Sequence, residues 1–90
     1  MEIAFSDSFK KAFKKRIKNN KDLEIIFWEH VKLFCLDPYH SQLKTHKLSG
    51  KLKGYFSFTI AYDCRVVFFF TKESPKRAVF TDIGKHDEVY

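Results

Sequence analysis

The stretch Glu2-Ile3-Ala4-Phe5 alternates and predicts a short first strand. The spacing then changes. Phe9, Ala12, Phe13 and Ile17 fall on one arc of a helix, in a stretch that also carries Lys10, Lys11, Lys14, Lys15, Arg16 and Lys18. At about 100° per residue, five of those six cations share an arc of roughly 140°. The spacing therefore predicts an amphipathic helix to about Ile17, capped by Ser6 or Asp7, whose side-chain oxygen accepts a free N–H of the first turn. Lys18-Asn19-Asn20-Lys21 is the break. Asn20 or Asp22 caps a second helix, and Glu24 suits the positive end of its dipole. Leu23, Ile26, Phe27, His30, Val31 and Phe34 share its apolar face. It ends before Asp37-Pro38, because the residue preceding proline is pushed out of helical geometry. Two helices with a short polar turn form an antiparallel hairpin.

Residues 39–54 are polar and basic, with Gly50 and Gly54 marking turns. From Tyr55 the period is two: Phe56, Phe58 and Ile60 alternate with Tyr55, Ser57 and Thr59. Tyr62-Asp63 links this strand to Cys64–Phe70. Lys72 to Pro75 is a turn, and Ala78 to Ile83 is a last strand. Short links between neighbouring strands imply antiparallel hairpins. The expected order is β-α-α-β-β-β, an α+β domain with a two-helix hairpin on one face of a twisted, mainly antiparallel sheet. The other face is then open and carries the odd-numbered residues of the strand beginning at Tyr55. Phe68-Phe69-Phe70 is aromatic on both strand faces, so either that strand is central or one ring awaits a partner.

Charge sharpens this picture. Seventeen Lys and Arg against 11 Asp and Glu leave a net charge of +6. Residues 1–54 hold 12 basic and 6 acidic residues, whereas residues 55–90 hold 5 of each, so the excess is confined to the first part. Besides the cationic helix there is a second group, Lys44, Lys47, Lys51 and Lys53. A solvated helix face explains one cluster; two clusters suggest a polyanionic partner. Leu, Ile, Val and Phe make up 28 of the 90 residues, too many for a disordered chain. The longest apolar run, Val66 to Phe70, is too short to cross a membrane. Met1-Glu2-Ile3-Ala4 does not begin a basic-then-apolar leader, so no signal peptide is expected. Two cysteines, Cys35 and Cys64, make no disulfide framework and read as reduced thiols in the cytoplasm. Three glycines leave no Gly-rich phosphate loop, and no cofactor is expected.

Four histidines remain. His30 lies on the apolar helix face and reads as a core or boundary residue; His40 sits in a loop with no assigned role. Cys35, His40, His46 and Cys64 lack the paired spacings of a zinc site, so no metal is expected. His46 and His86 both lie near sheet ends and near cations. An imidazole there can move a proton either way near neutral pH.

The ordered set His46-Lys47-Leu48-x-Gly50, Lys53-Gly54-Tyr55, Asp63-x-Arg65-Val66-Val67-Phe68 and Ile83-Gly84-x-His86-x-x-x-Tyr90 resembles the RelE/ParE toxin superfamily, closest to the YafQ-like and RelE-like ribonucleases of type II toxin–antitoxin systems. The resemblance covers the chain, so residues 1–90 are expected to form a single RelE-like toxin domain. It implies the same β-α-α-β-β-β plan. It also implies an mRNA interferase that cleaves mRNA on the ribosome without a metal: the ribose 2′-hydroxyl attacks the adjacent phosphate, leaving a 2′,3′-cyclic phosphate and a 5′-hydroxyl. A cognate antitoxin is implied as partner, an acidic amphipathic chain suited to a basic groove and apolar edges.

By motif position His86 and His46 are the proton-transfer candidates. Asp63 is expected to orient a histidine. Tyr90 stacks on a base, donates a hydrogen bond, or packs on the sheet. Arg65 contacts phosphate or pairs with an acid, and Lys47, Lys51, Lys53 and Lys85 bind phosphate. The YafQ-like and RelE-like relatives carry a histidine or arginine where this chain has Phe56-Ser57-Phe58-Thr59. That departure keeps a non-catalytic RNA- or ribosome-binding domain in view. A ParE-like gyrase-inhibiting toxin is a further reading, against which His46 with His86 speaks.

Overall fold

A computed structural model describes residues 1–90. Strand β1 spans Glu2–Phe5, helix α1 Asp7–Arg16 and helix α2 Lys21–Leu36. Both caps are serine or asparagine oxygens: Ser6 Oγ accepts from the Phe9 amide at 3.1 Å, and Asn20 Oδ1 from the Leu23 amide at 3.1 Å. The chain then forms a two-residue strand β2 (His46–Lys47) between two short 3-10 turns, strands β3 (Phe56–Ala61), β4 (Cys64–Phe70) and β5 (Arg77–Gly84), and a one-turn helix α3 (His86–Val89).

The five strands lie in the order β1-β5-β4-β3-β2. β1 runs parallel to β5; all other pairs are antiparallel. β4 is therefore the middle strand, which answers the question posed by Phe68-Phe69-Phe70. Phe68 is fully buried on the helix side, while Phe69 turns to the far face and meets Tyr55 edge-on at 5.6 Å. A register shift follows Val67: Val67 faces Asp82 but Phe68 faces Phe80, leaving Thr81 as the extra residue.

The core is aromatic. Phe27, Phe34, Phe58, Phe68 and Phe80 are all 0 % exposed. Phe80 sits at its centre, with ring centroids 5.3–6.1 Å from Phe5, Phe9, Phe34, Phe58 and Phe68. Apolar periodicity of 3.6 in the helices and two in the strands delivers these rings to one interior.

Three features go beyond the sequence expectation. β2 lies in a stretch that reads as a polar loop, since two residues carry no period. α3 is a single turn of mostly charged residues and has no apolar stripe. The far face of the sheet is not open at this end: Ser57 and Val67 are buried there, as is Val89 of α3. No helix is long and apolar enough to cross a membrane.

Candidate active site

β2 exists because it pairs with β3, and the pairing sets His46 directly opposite Ser57. His46 Nδ1 lies 3.1 Å from the Lys44 carbonyl oxygen. A carbonyl only accepts, so Nδ1 carries a proton, and in the neutral imidazole Nε2 is then the nitrogen with the lone pair. Nε2 faces Ser57 Oγ at 3.4 Å. Tyr90 donates its hydroxyl to the same Ser57 Oγ at 2.6 Å. Ser57 has one proton of its own, and its free acceptor is Nε2 of His46. The result is a directional line of hydrogen bonds, Tyr90 to Ser57 to His46 to the Lys44 carbonyl. Lys44 itself adopts a left-handed backbone (φ 52°, ψ 42°), a conformation that costs an L-residue about 1–2 kcal/mol.

His86 opens α3. Its ring meets Tyr90 edge-on, with centroids 4.7 Å apart, because residues four apart share a helix face. Its Nδ1 stands 3.8 Å from Asp87 Oδ1, both at the surface. Asp63 reaches this turn from the β3–β4 link, but it grips the backbone: its Oδ1 accepts the His86 amide at 3.3 Å. It contacts no imidazole. Arg65 pairs with Asp63 at 3.5 Å, so of the two readings of this arginine the pairing with an acid is the contact observed.

The lysines line the approaches. Lys47 and Lys53 border a cavity of about 490 Å³ with Ser49 and Tyr55. Lys11 and Lys15 border another of about 460 Å³ with Tyr55, Thr81 and Val89. Tyr55 is common to both, so a cationic path runs from β2 across the far face of the sheet to α1. Lys51 is exposed on the 3-10 turn Gly50–Leu52, and Lys85 is exposed at the start of α3. Arg16 is not part of the free cationic face of α1. Its guanidinium turns inward to Asp82 at 3.1 Å and Glu88 at 3.5 Å.

Sequence reasoning thus missed Ser57, the hub joining His46 to Tyr90. Its place among the odd-numbered residues of β3 put it on the correct face; its pairing with β2 was not legible. No three His, Cys, Asp or Glu side chains come together to hold a metal.

Cys64 is near the site but is not a nucleophile. Its thiol is pushed up to about 11 from 9.0, by burial first and then by the charges of Glu88 and Asp63, with Arg65 opposing. At neutral pH the thiolate is absent, so iodoacetamide should label Cys35, which is half-buried, well before Cys64. Mass spectrometry of the labelled protein checks this, and equal rates at the two thiols would contradict it. The raised folded value also has a sign. The stability it reflects is complete below pH 9 and is lost as the pH climbs toward 11.

A family model described as the bacterial toxin of type II toxin–antitoxin systems, YafQ, matches residues 1–90. No match is found among curated proteins. Among solved structures, YafQ from E. coli strain BL21(DE3) superposes with a TM-score of 0.79 at 22% identity, covering 99% of this chain and 97% of that one. A YoeB/ParE toxin from Agrobacterium tumefaciens gives 0.79 at 17% identity, covering 96% of this chain and 99% of that one. The E. coli DinJ–YafQ complex contains a chain that matches with 0.72 at 21% identity, covering 99% and 97% respectively.

Proposed function

This chain belongs to the YafQ family of bacterial type II toxins, and we propose that it is an endoribonuclease that cleaves mRNA on the ribosome without a metal ion. One observation carries the reading: Tyr90, Ser57 and His46 form a continuous hydrogen-bonded line, with His86 packed on Tyr90 at its other end.

In this reaction the ribose 2′-oxygen bonds to the adjacent phosphorus and the bond from phosphorus to the 5′-oxygen breaks. A base takes the 2′-hydroxyl proton and an acid gives one to the leaving oxygen. His46 suits the base, since the Lys44 carbonyl fixes its Nδ1 proton and leaves Nε2 with a lone pair. His86 suits the acid, since its ring is exposed at the start of α3 and packed against Tyr90 at the end of the hydrogen-bonded line. Lys47, Lys53 and the other lysines of the path offset charge on the phosphate as it develops. Arg65, held by Asp63, plays a supporting part, and Asp63 holds His86 by its backbone.

The test is induced expression in a bacterium with primer extension on a translated reporter mRNA, followed by cleavage of mRNA on Mg²⁺-stabilised ribosomes by toxin treated with EDTA and then freed of the chelator. Cuts confined to translated regions and undiminished by that treatment are expected. Growth arrest without cuts, with gyrase supercoiling inhibited in vitro, would replace this reading with the gyrase-directed one. Binding of ribosomes without cuts or arrest would leave a non-catalytic domain.

The proposed partner is a cognate antitoxin, as the E. coli YafQ has in its complex with DinJ. A cavity of about 280 Å³ lies between β1 and the helix hairpin, walled by Phe5, Phe9, Phe13, Phe27 and Trp28 and rimmed by Lys10, Lys14 and Lys18 against one acid, Glu24. It is below the usual size of a small-molecule pocket, about 300–1,000 Å³, but takes one or two bulky side chains of an acidic segment. Trp28, 44 % exposed, is the natural anchor point. Trp28→Ala is expected to weaken antitoxin binding about 30-fold, the effect of losing an interface hot spot of about 2 kcal/mol. Calorimetric titration would show it; an unchanged Kd would remove the cavity from the interface.

A further inference from the structure

The geometry points to Arg16 as a positioning residue for the C-terminal turn that carries His86 and Tyr90. The inference rests on the reading of that turn as part of an RNA-cleaving site. Its sequence context suggested one more phosphate-binding cation on α1. Its surroundings show another role.

The Arg16 side chain is only 23% exposed. Nη1 donates to Asp82 Oδ1 at 3.1 Å and to the Ile83 carbonyl at 3.0 Å, both at the end of β5. Nε faces Glu88 Oε2 on α3 at 3.5 Å. The other oxygen of Glu88 accepts the Lys85 amide at 2.7 Å, capping α3. One carboxylate therefore serves both the helix's own cap and its tie to α1. The tie crosses Gly84. A Cβ there would stand 2.8 Å from Glu88 Oε1 and 3.0 Å from Arg16 Cδ and Nη1, so only glycine lets the ions close over the chain.

A four-residue helix has no stability of its own; isolated helices below about 12–15 residues are marginal in water. The orientation of α3 depends on what holds it. Arg16 holds Glu88 from one side, and Asp63 holds the His86 amide from the other at 3.3 Å. Tyr90 must then arrive at Ser57 within hydrogen-bond reach, and His86 against Tyr90. A lysine cannot replace this arginine, because a single ammonium cannot present the fork that meets both carboxylates and a carbonyl.

The experiment compares the parent with Arg16→Gln, Arg16→Lys and Glu88→Gln in full-length protein. Two readouts are used: amide hydrogen exchange, and single-turnover cleavage of mRNA on programmed ribosomes across toxin concentration. Arg16→Gln is expected to speed exchange at His86, Glu88, Val89 and Tyr90 while β4 and α2 keep their protection. It should lower the saturating cleavage rate about 10- to 100-fold, the scale expected for a misplacement of about 1 Å. The concentration giving half the maximal rate should change less than about twofold, since no phosphate contact is lost. Arg16→Lys should fall between the two, and Glu88→Gln should follow Arg16→Gln if the latter is too unstable to study. Unchanged exchange at α3 in both Arg16→Gln and Glu88→Gln would overturn the inference, as would weakened ribosome binding at an unchanged saturating rate. If the parent itself does not cleave RNA, the functional reading fails while the exchange data still decide whether Arg16 orders the turn.

Discussion

His86→Ala is expected to lower the rate of mRNA cleavage about 10²- to 10⁴-fold, the usual contribution of a positioned general acid or base. At about 1.4 kcal/mol per decade, that is roughly 3–6 kcal/mol of transition-state stabilisation. The fold should survive the change. The His86 side chain is 58% exposed, and what Asp63 binds is the His86 backbone amide, which alanine retains. Loss of the ring leaves Tyr90 without its edge-on neighbour but with its bond to Ser57. Activity should therefore fall while the thermal midpoint moves little. The pH profile gives a second check. With one proton-transfer group removed, a bell-shaped rate profile should lose one limb. A folded variant cleaving within about threefold of the parent would take His86 out of the chemistry.

The same site shows how far a sequence carries the argument. The helices and the three long strands were legible because each repeats an apolar spacing over several turns or residues. Ser6 and Asn20 were legible as cap candidates, beside Asp7 and Asp22, for a local reason: the cap and the amide it serves are three residues apart. β2 was not legible, because two residues cannot display a period and their pairing with β3 is a tertiary fact. α3 was hidden for the opposite reason. Its residues are charged, and its order comes from Arg16 and Asp63, which are distant in sequence. His46, Asp63, His86 and Tyr90 were nonetheless named together, from their order along the chain and the resemblance they carry. The backbone role of Asp63 and the linking role of Ser57 needed coordinates.

Arg16 sharpens the point about charge. On a helical wheel it is the one cation of the six outside the shared arc, about 100° from Lys15 and among the apolar positions, and its guanidinium is committed to two carboxylates while Lys15 borders the groove beside Tyr55. A helical projection places residues by angle alone and ignores the reach of a long side chain over the helix end. The cationic face of α1 consequently divides. Lys11 and Lys15 look toward the sheet and the proposed RNA path, while Lys10, Lys14 and Lys18 rim the aromatic cavity beside Trp28.

Phe80→Ala is expected to destabilise the protein by about 3–5 kcal/mol, the usual cost of removing a buried phenyl ring. The typical total for a domain is about 5–15 kcal/mol, so a large fraction of native stability depends on this one ring. The reason is its position. Phe80 is 0 % exposed and touches rings from β1, α1, α2, β3 and β4, so its removal opens a void that no single neighbour can fill. Smaller voids would follow at Phe69, which lies half-buried on the far face beside Tyr55 and should cost less. The effect should also reach the site, because β5 ends in Asp82, Ile83 and Gly84, where Arg16 ties down α3. Urea unfolding at equilibrium measures the first effect. Amide exchange at His86 to Tyr90 under native conditions measures the second. A loss below about 1.5 kcal/mol would mean that the surrounding rings repack into the gap, and the aromatic core would then be more plastic than close packing allows.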